Sequence, residues 1–496
     1  MMRRFICLTP IFLWCSLGWA QIPNLVQHVS CPNSSAPASG GAPQSSTPDY
    51  YCPLPEPAQS GNSILVGVTS YNGGAPYSIS DDMGNSYSLV NSISNDGNGA
   101  FVAIYFAGNV TQGTRMIRLH GSNSQASNAA MSASEYYNVG AVDTSSCAGA
   151  VNSTTISAGS ITPTMPGDLL WQWTVNASAG GSWPGNTSSF APGTESNIAW
   201  QLLGTDLYTG SAVQAGIYNS TSAINPTLTT GTSNGYDSCV MALKAATQGQ
   251  QNPQAFRILH MLHQQYPKGG ANPWKMQFPT SGNLIVVSHI SGGSNISSIA
   301  STPSNTWSST GTQAGGESYT ALSQIYYAAS ASTSSSMTIS VTRNDNSSDG
   351  TFMMYDITGA ATSPFDTDSG GQTGNQTSQV TSFTTCSGCL TPSAPNELVI
   401  ANQGQNWCTS TASPSPSGSL FDAATYTGTS VNGPQSVDQN NGWLHYYDPN
   451  ANPVTVTWRN ACSQAEGVWV GRVAAFKGGG ASVLVAPPSG LTAVVH

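Results

Sequence analysis

The sequence predicts an all-β chain of two tandem β-sandwich, jelly-roll-like domains, each with an internal two-fold pseudo-repeat. Three observations lead there. Short apolar runs rich in Val, Ile, Thr and Tyr, cut by Gly, Asn, Pro and Ser, dominate the chain, and no long run shows a capped helical period. The chain also repeats itself at about 220 residues: Gly61-Asn62-Ser63-Ile64-Leu65-Val66 returns as Gly282-Asn283-Leu284-Ile285-Val286-Val287, and Ile104-Tyr105-Phe106-Ala107 as Ile325-Tyr326-Tyr327-Ala328. A weaker echo halves each copy again, with strand openings at 61–68, 166–175, 282–290 and 396–402 and closing strands at 131–137, 239–245, 352–357 and 468–476. Antiparallel sheets of this kind must pair to bury one face each.

In chain order, residues 1–20 read as an export signal: Arg3 and Arg4, an apolar stretch over 5–17, and the small-x-small site Gly18-Trp19-Ala20. The stretch falls short of the ~20 apolar residues a spanning helix needs, so no membrane span is expected. Residues 21–249 form copy one, led by Leu25-Val26-Gln27-His28 and interrupted by a proline-rich insertion at 32–57. Residues 250–479 form copy two, led by 258–263, and 480–496 read as a flexible tail. Four small sandwiches are the alternative. Two are preferred because a leading strand precedes each pair of quarters.

Lys and Arg number 12 against 22 Asp and Glu, a net charge of −10, which excludes the basic face that nucleic acid requires. Charged residues are only 7% of the chain, against roughly 25% in an average globular protein, so hydroxyls and amides must carry solubility. Such a surface suits a secreted or cell-surface β-protein. Outside the signal lie Cys31, Cys52, Cys147, Cys239, Cys386, Cys389, Cys408 and Cys462, an even set that reads as disulfides in an exported chain. Sequence leaves the connectivity open; the pairing taken here is Cys31–Cys52, Cys147–Cys239, Cys386–Cys389 and Cys408–Cys462. A redox role for Cys386-Ser387-Gly388-Cys389 lacks a surrounding βαβ pattern, and zinc lacks a second Cys-x-x-Cys.

Leu25-Val26-Gln27-His28, Gly61-Asn62, Asp82-Met83-Gly84-Asn85-Ser86-Tyr87, Tyr105-Phe106-Ala107-Gly108-Asn109, Glu135-Tyr136-Tyr137 and Ala474-Ala475-Phe476-Lys477 follow one another in a characteristic order. That order resembles a group of exported β-rich tandem-repeat proteins of environmental bacteria. The resemblance implies export and β-repeat architecture over most of residues 21–479, and it transfers no catalytic residue. Copy two departs from it at Ser304-Asn305-Thr306-Trp307, which lacks the acid of Asp82.

Candidate chemistry is sparse. Gly231-Thr232-Ser233-Asn234-Gly235 matches a nucleophile-elbow pattern, but the mechanism needs a helix after the turn, and a strand is predicted there. Paired carboxylates would suit glycoside hydrolysis. The weak candidates are Glu135 and its copy-two counterpart Asp356, because an acid on an apolar strand costs energy unless bonded or solvated. Asp168 and Glu397 share a strand-opening turn, where carboxylates usually accept backbone N–H bonds. Asp81 with Asp82, and Asp345 with Asp349, offer oxygen clusters for a structural Ca²⁺, without EF-hand spacing. His260 and His263 point to opposite faces of a strand, and His28 has its counterpart near His263.

Aromatic rows are the best functional hint. Trp171 and Trp173 share a face, as do Trp443, His445 and Tyr447, and Gln172 supplies an amide neighbour. Exposed, such rows stack on sugar rings; buried, they are core. The expected function is a secreted, non-catalytic binding or adhesion protein, with a polysaccharide or cell-surface glycan as preferred partner. A secreted polysaccharide hydrolase or lyase and a structural surface-layer or appendage subunit are the alternatives. Catalysis stays open, no cofactor is expected, and oligomeric state is not readable.

Overall fold

The computed structural model describes residues 22–31, 49–71, 78–94, 100–120, 129–177, 189–206, 210–266, 269–280, 282–312, 314–315, 322–344, 350–376, 382–406, 425–429, 439–459 and 467–479. Among these all regular structure is strand, as expected. The strands fall into four successive quarters with one plan. In the first, the central sheet runs Asn24–Cys31, Ala129–Tyr137, Ser63–Tyr71, Ala100–Ala107 and Ser88–Ile93 in spatial order, covered by Asp49–Pro53, Met116–His120 and Ser78–Asp81. By chain order these are first, eighth, third, sixth and fifth on one sheet, and second, seventh and fourth on the other.

The third quarter repeats the plan with Arg257–Tyr266, Gly350–Thr358, Leu284–Ser291, Leu322–Ala329 and Ser308–Ser309, covered by Trp274–Thr280, Ser334–Arg343 and Ile296–Thr302. In the fourth, Ala360–Asp368, Gly467–Gly478, Glu397–Asn406, Gln439–Asp448 and Thr425–Thr429 lie beneath the pair Ser382–Ser387 and Thr455–Arg459. The second quarter has Val139–Ser157, Thr227–Ala245, Asp168–Ala177, Ser211–Tyr218 and Gln201–Asp206, with Phe190–Ala191 paired to Thr227–Ala245 in the same sheet, and among the described residues its cover shrinks to an Ile161–Ile224 bridge.

The repeating structural unit is therefore the quarter, in a four-bladed arrangement. Each quarter owns a leading strand. Those of the second and fourth, Val139–Ser157 and Ala360–Asp368, are Ser-, Thr- and Asp-rich and largely half-buried, so they carry no apolar signature. One left-handed residue joins each odd quarter to the next: Asn138 at φ 61° and Gly359 at φ 70°. Asn and Gly are the residues that tolerate this conformation. At Gly359 a Cβ would also stand 2.2 Å from the Ala255 carbonyl oxygen.

Alternation along the strands decides the layering. Ile64, Val66 and Val68 face the cover with Cys52, Ile117 and Leu119, whereas Leu65, Val102 and Ile104 face Leu169, Trp171, Trp173 and Val175 of the second quarter. The third and fourth quarters sit back to back likewise, through Val286, Tyr355, Leu398, Ile400, Trp443 and Phe476. Central strands buried on both faces need continuous apolar runs, which is what the sequence shows. Across the copies, Asn24–Cys31 pairs in parallel with Arg257–Tyr266, His28 opposite His260, so the first and third quarters share one 11-stranded sheet.

Cys31–Cys52, Cys147–Cys239 and Cys386–Cys389 are bonded, as taken from the sequence. Cys147 and Cys239 stand opposite one another on neighbouring strands. Cys408 and Cys462, the signal at 1–20, the tail at 480–496, and Asp345 with Asp349 lie outside the described residues. Among the described residues no helix is long and apolar enough to cross a membrane.

Candidate functional site

The aromatic rows face inward. Trp171 is fully buried and Trp443 is 1% exposed; Trp173, Gln172 and His445 are buried too, and Tyr447 is half-buried. Trp171 donates its indole N–H to Ser134 Oγ across the interface of the first two quarters, at 3.1 Å. Trp173 fills the space that Gly67 leaves, since a Cβ there would stand 2.5 Å from its ring. Trp443 meets the His263 ring edge-on at 5.0 Å. Gln172 donates to Ser238 Oγ at 2.9 Å and accepts from Gln214 Nε2 at 2.7 Å. The expectation of a solvent-facing sugar platform at these positions is thus corrected. Period two puts the rings on one face, and that face is covered by a second sheet.

The candidate acids are internal as well. Glu135 and Asp356 occupy equivalent places on the eighth strands, opposite Gln27 and His260 respectively. Glu135, fully buried, accepts from Gln27 Nε2, from Asn62 Nδ2 and, at 2.8 Å, from the Gln59 N–H. Burial pushes its pKa up to about 7 against those three hydrogen bonds. Asp356 pairs with His260 Nδ1 at 2.8 Å and accepts from the Gly282 N–H. The two acids lie in separate quarters and share no groove.

The structure brings together a different set, at the seam between the copies. Pro55 and Glu56, in the insertion pinned by Cys31–Cys52, dock on copy two. Glu56 Oε1 accepts from the Ile258 N–H at 3.0 Å and from Tyr447 OH at 2.6 Å, while His445 Nε2 donates to the Pro55 carbonyl at 2.7 Å. Gln27 fixes Glu56 from below: its amide donates to the Glu56 carbonyl, and the Glu56 N–H donates to Gln27 Oε1. His28 and His260, whose ring centroids are 6.3 Å apart, lie on the paired strands, so the counterpart of His28 is His260 and not His263. His28 contacts the Ser134, Ser30 and Ser132 hydroxyls. Burial, and then His260, hold its pKa well below the ordinary range. Burial likewise lowers His445 to about 4 and His263 to about 3.

Glu56, Gln27 and Asn62 were missed in the sequence. The available signal was polar side chains recurring at equal places on apolar strands, Gln27 with Glu135 and His260 with Asp356. Chemically the seam is a polar clamp that welds two copies, with His260 Nε2 left without a hydrogen-bond partner. The Glu56 carboxylate, His445 Nε2 and His260 Nδ1 are spent on neighbours, as buried polar groups usually are.

The remaining candidates resolve simply. Asp81 accepts from the Met83 and Asn85 N–H groups, Asn85 Nδ2 and Tyr87 OH, and Asp82 Oδ1 accepts from the Arg115 and Met116 N–H groups. These are turn staples. Among the described residues no group of three His, Cys, Asp or Glu is placed to hold a metal ion. Ser233 lies exposed inside the strand Thr227–Ala245, with no helix after it. In comparisons with known proteins, no family model matches the chain, and no curated protein or solved structure is detectably similar to it.

Proposed function

We propose that the chain is a secreted, non-catalytic binding or adhesion protein of the cell exterior, with a glycan as its ligand. One observation carries the reading: Glu135 and Asp356, the acids a polysaccharide-cleaving enzyme would draw on, are buried and bonded to neighbouring strands. What faces outward is mostly hydroxyl and amide on a chain only 7% charged. Such a surface suits sugar hydroxyls, contacted from the polar loops at the sheet ends and not from the tryptophans. We read the strand order first–eighth–third–sixth over second–seventh–fourth as a jelly-roll variant whose fifth strand stays on the central sheet. Two copies held in one body would engage a polymer at two points and gain avidity.

Retention of the folded chain on a panel of insoluble polysaccharides tests this. Binding to one polymer, competed by its soluble form, supports the reading; a folded chain that passes through every matrix counts against it. A structural appendage or surface-layer subunit is the second reading. It is favoured by Leu89, 54% exposed on Ser88–Ile93, which is an end strand of the 11-stranded sheet. Exposed apolar edge strands pair with other chains. Light scattering separates the two, because the structural reading expects growth with concentration and indifference to sugar.

A further inference from the structure

Three neighbouring strands in the second quarter bring an acid, a lysine and an acid into one row. Leu243 faces Leu169, so Lys244 lies across from Asp168; on its other side Val139–Ser157 presents Asp143 at a register shift. Lys244 Nζ stands 3.2 Å from Asp143 Oδ1. The Thr164 N–H and hydroxyl both donate to Asp143. Asp168 is fully buried, and no donor reaches its carboxylate oxygens; its neighbour is the Asp143 carboxyl, with which it can bond only when one of the two is protonated. Burial and the Asp143 charge push its pKa up to about 7.

The fourth quarter holds the same row. Glu397 lies across from Lys477, whose Nζ is 2.6 Å from Asp366 Oδ1, and the Ser393 N–H and hydroxyl donate to Asp366 at 2.8 and 2.7 Å. Glu397 is 1% exposed; its Oε1 accepts from the Ala394 N–H at 2.9 Å and from Ser393 Oγ at 3.1 Å, and its Oε2 has no donor. The odd quarters lack the row. Asn62 and Asn283 open their third strands and bond the backbones of Gln250 and Ala360, and Tyr137 and Thr358 stand in the lysine position. A surface ion pair needs no second carboxyl beside it. Burying one costs free energy, in full at Asp168, which has no donor, and in part at Glu397, where only Oε2 lacks one.

We propose that Lys244 with Asp143, and Lys477 with Asp366, form intramolecular amide bonds, with Asp168 and Glu397 moving the proton. The Lys244 ammonium gives one proton to the Asp168 carboxylate. The freed amine adds to Cγ of Asp143, forming the C–N bond. One oxygen of that carboxyl leaves as water, taking the proton returned by Asp168 and a second from the nitrogen. Ammonium plus carboxylate thus becomes amide plus water, with no oxidant or other reactant. Carboxyls whose pKa burial raises, as it does at Asp168 and Glu397, suit this exchange. The Nζ–Oδ1 distances of 3.2 and 2.6 Å set each amine against the carboxyl whose Cγ it attacks. Each bond would tie the first strand of its quarter to the last, closing the unit covalently.

The intact mass of the full exported chain, reduced and denatured, with its N-terminus read directly, tests the proposal. The expected mass is two waters below that of the sequence, and digestion should yield branched peptides joining Lys244 to Asp143 and Lys477 to Asp366. Asp168→Asn and Lys244→Arg should each restore one water. The wild-type mass decides even if a variant does not fold. A chain of full mass whose two lysines both react with an amine reagent after denaturation overturns the proposal, as does a missing water that maps elsewhere.

Discussion

The interface between back-to-back central sheets is built twice, and the two copies fill it differently. In the first copy Trp173 enters the space opposite Gly67, where a Cβ would approach the ring to 2.5 Å. By the repeat, the same two positions in the second copy are Asn402 and Ser288. There Asn402 Nδ2 donates to Ser288 Oγ at 2.8 Å and its Oδ1 accepts from Ser323 Oγ at 2.6 Å. One pair is large against nothing; the other is a small polar network. The position is therefore a packing position in both copies, with the bulk shared out differently. A tryptophan that a neighbouring sheet has a glycine to receive is not a sugar platform.

The largest effect is expected from breaking the apolar solution. Trp173→Ala should cost about 3–5 kcal/mol by chemical unfolding, because the cavity it leaves sits between two rigid sheets. Gly67→Ala should cost about 1–3 kcal/mol from overpacking. Transplanting the second solution, Gly67→Ser with Trp173→Asn, should cost less than the sum of the single changes, since the two side chains touch. Strict additivity would mean that the positions do not share one space. Breaking the polar solution should matter less. Asn402→Ala strands the Ser288 and Ser323 hydroxyls away from water, at about 1–3 kcal/mol.

Both copies carry pH-linked groups of each sign, His28 in the first being lowered and Glu397 in the second raised, and Glu135 with His263, His289 and His445 sets the pH windows. Glu135 in the first has its pKa raised to about 7 from an ordinary 4.5. The stability linked to it is fully present below about 4.5 and is lost as pH rises through 7. In the second copy His263 and His289 are lowered by burial to about 3, and His445 to about 4, from 6.5. The stability linked to them is present above 6.5 and is lost as pH falls toward 3 to 4. Each such group changes stability by up to about 1.4 kcal/mol per pH unit inside its window. Thermal unfolding across pH should show Glu135→Gln flattening the neutral side and His263→Leu the acid side. If either variant flattens the other limb, the assignment of that limb to Glu135 or to His263 fails.

What sequence conveyed and what it withheld follow the same line. Strand class and repeat period were legible because strands buried on both faces leave unbroken apolar runs such as Ile64 to Val68. The number of units was not, because Val139–Ser157 and Ala360–Asp368 are half-exposed edge strands with polar composition. For the site, alternation put Trp171 and Trp173 on one face and could not say what covered it. Gly67, an isolated glycine within a Val- and Ile-rich run, was the readable sign of a close neighbour. The seam was hidden for another reason. Glu56 meets Tyr447 and Ile258 across the whole length of a copy, and no local pattern encodes such a contact.

The smallest effect concerns the turn that offered itself as a calcium loop. In copy one Asn85 Nδ2 donates to Asp81 and its Oδ1 accepts from the Thr111 N–H. In copy two Asn305 does the same with Ser301 Oγ and the Ser332 N–H. The asparagine and both of its bonds are retained, while the carboxylate has become a hydroxyl. A metal loop loses its purpose with its acid; a turn staple keeps working with any acceptor in reach. Asp81→Ser keeps an acceptor in reach of Asn85 and removes that of Tyr87 OH, so it should cost about 1–1.5 kcal/mol, the upper scale of one ordinary hydrogen bond. Asn85→Ala and Asn305→Ala should cost more than that and resemble each other. A chelator should leave the unfolding temperature unchanged. A chelator-sensitive shift that Asp81→Ser removes would show that the first copy binds a cation where the second only turns.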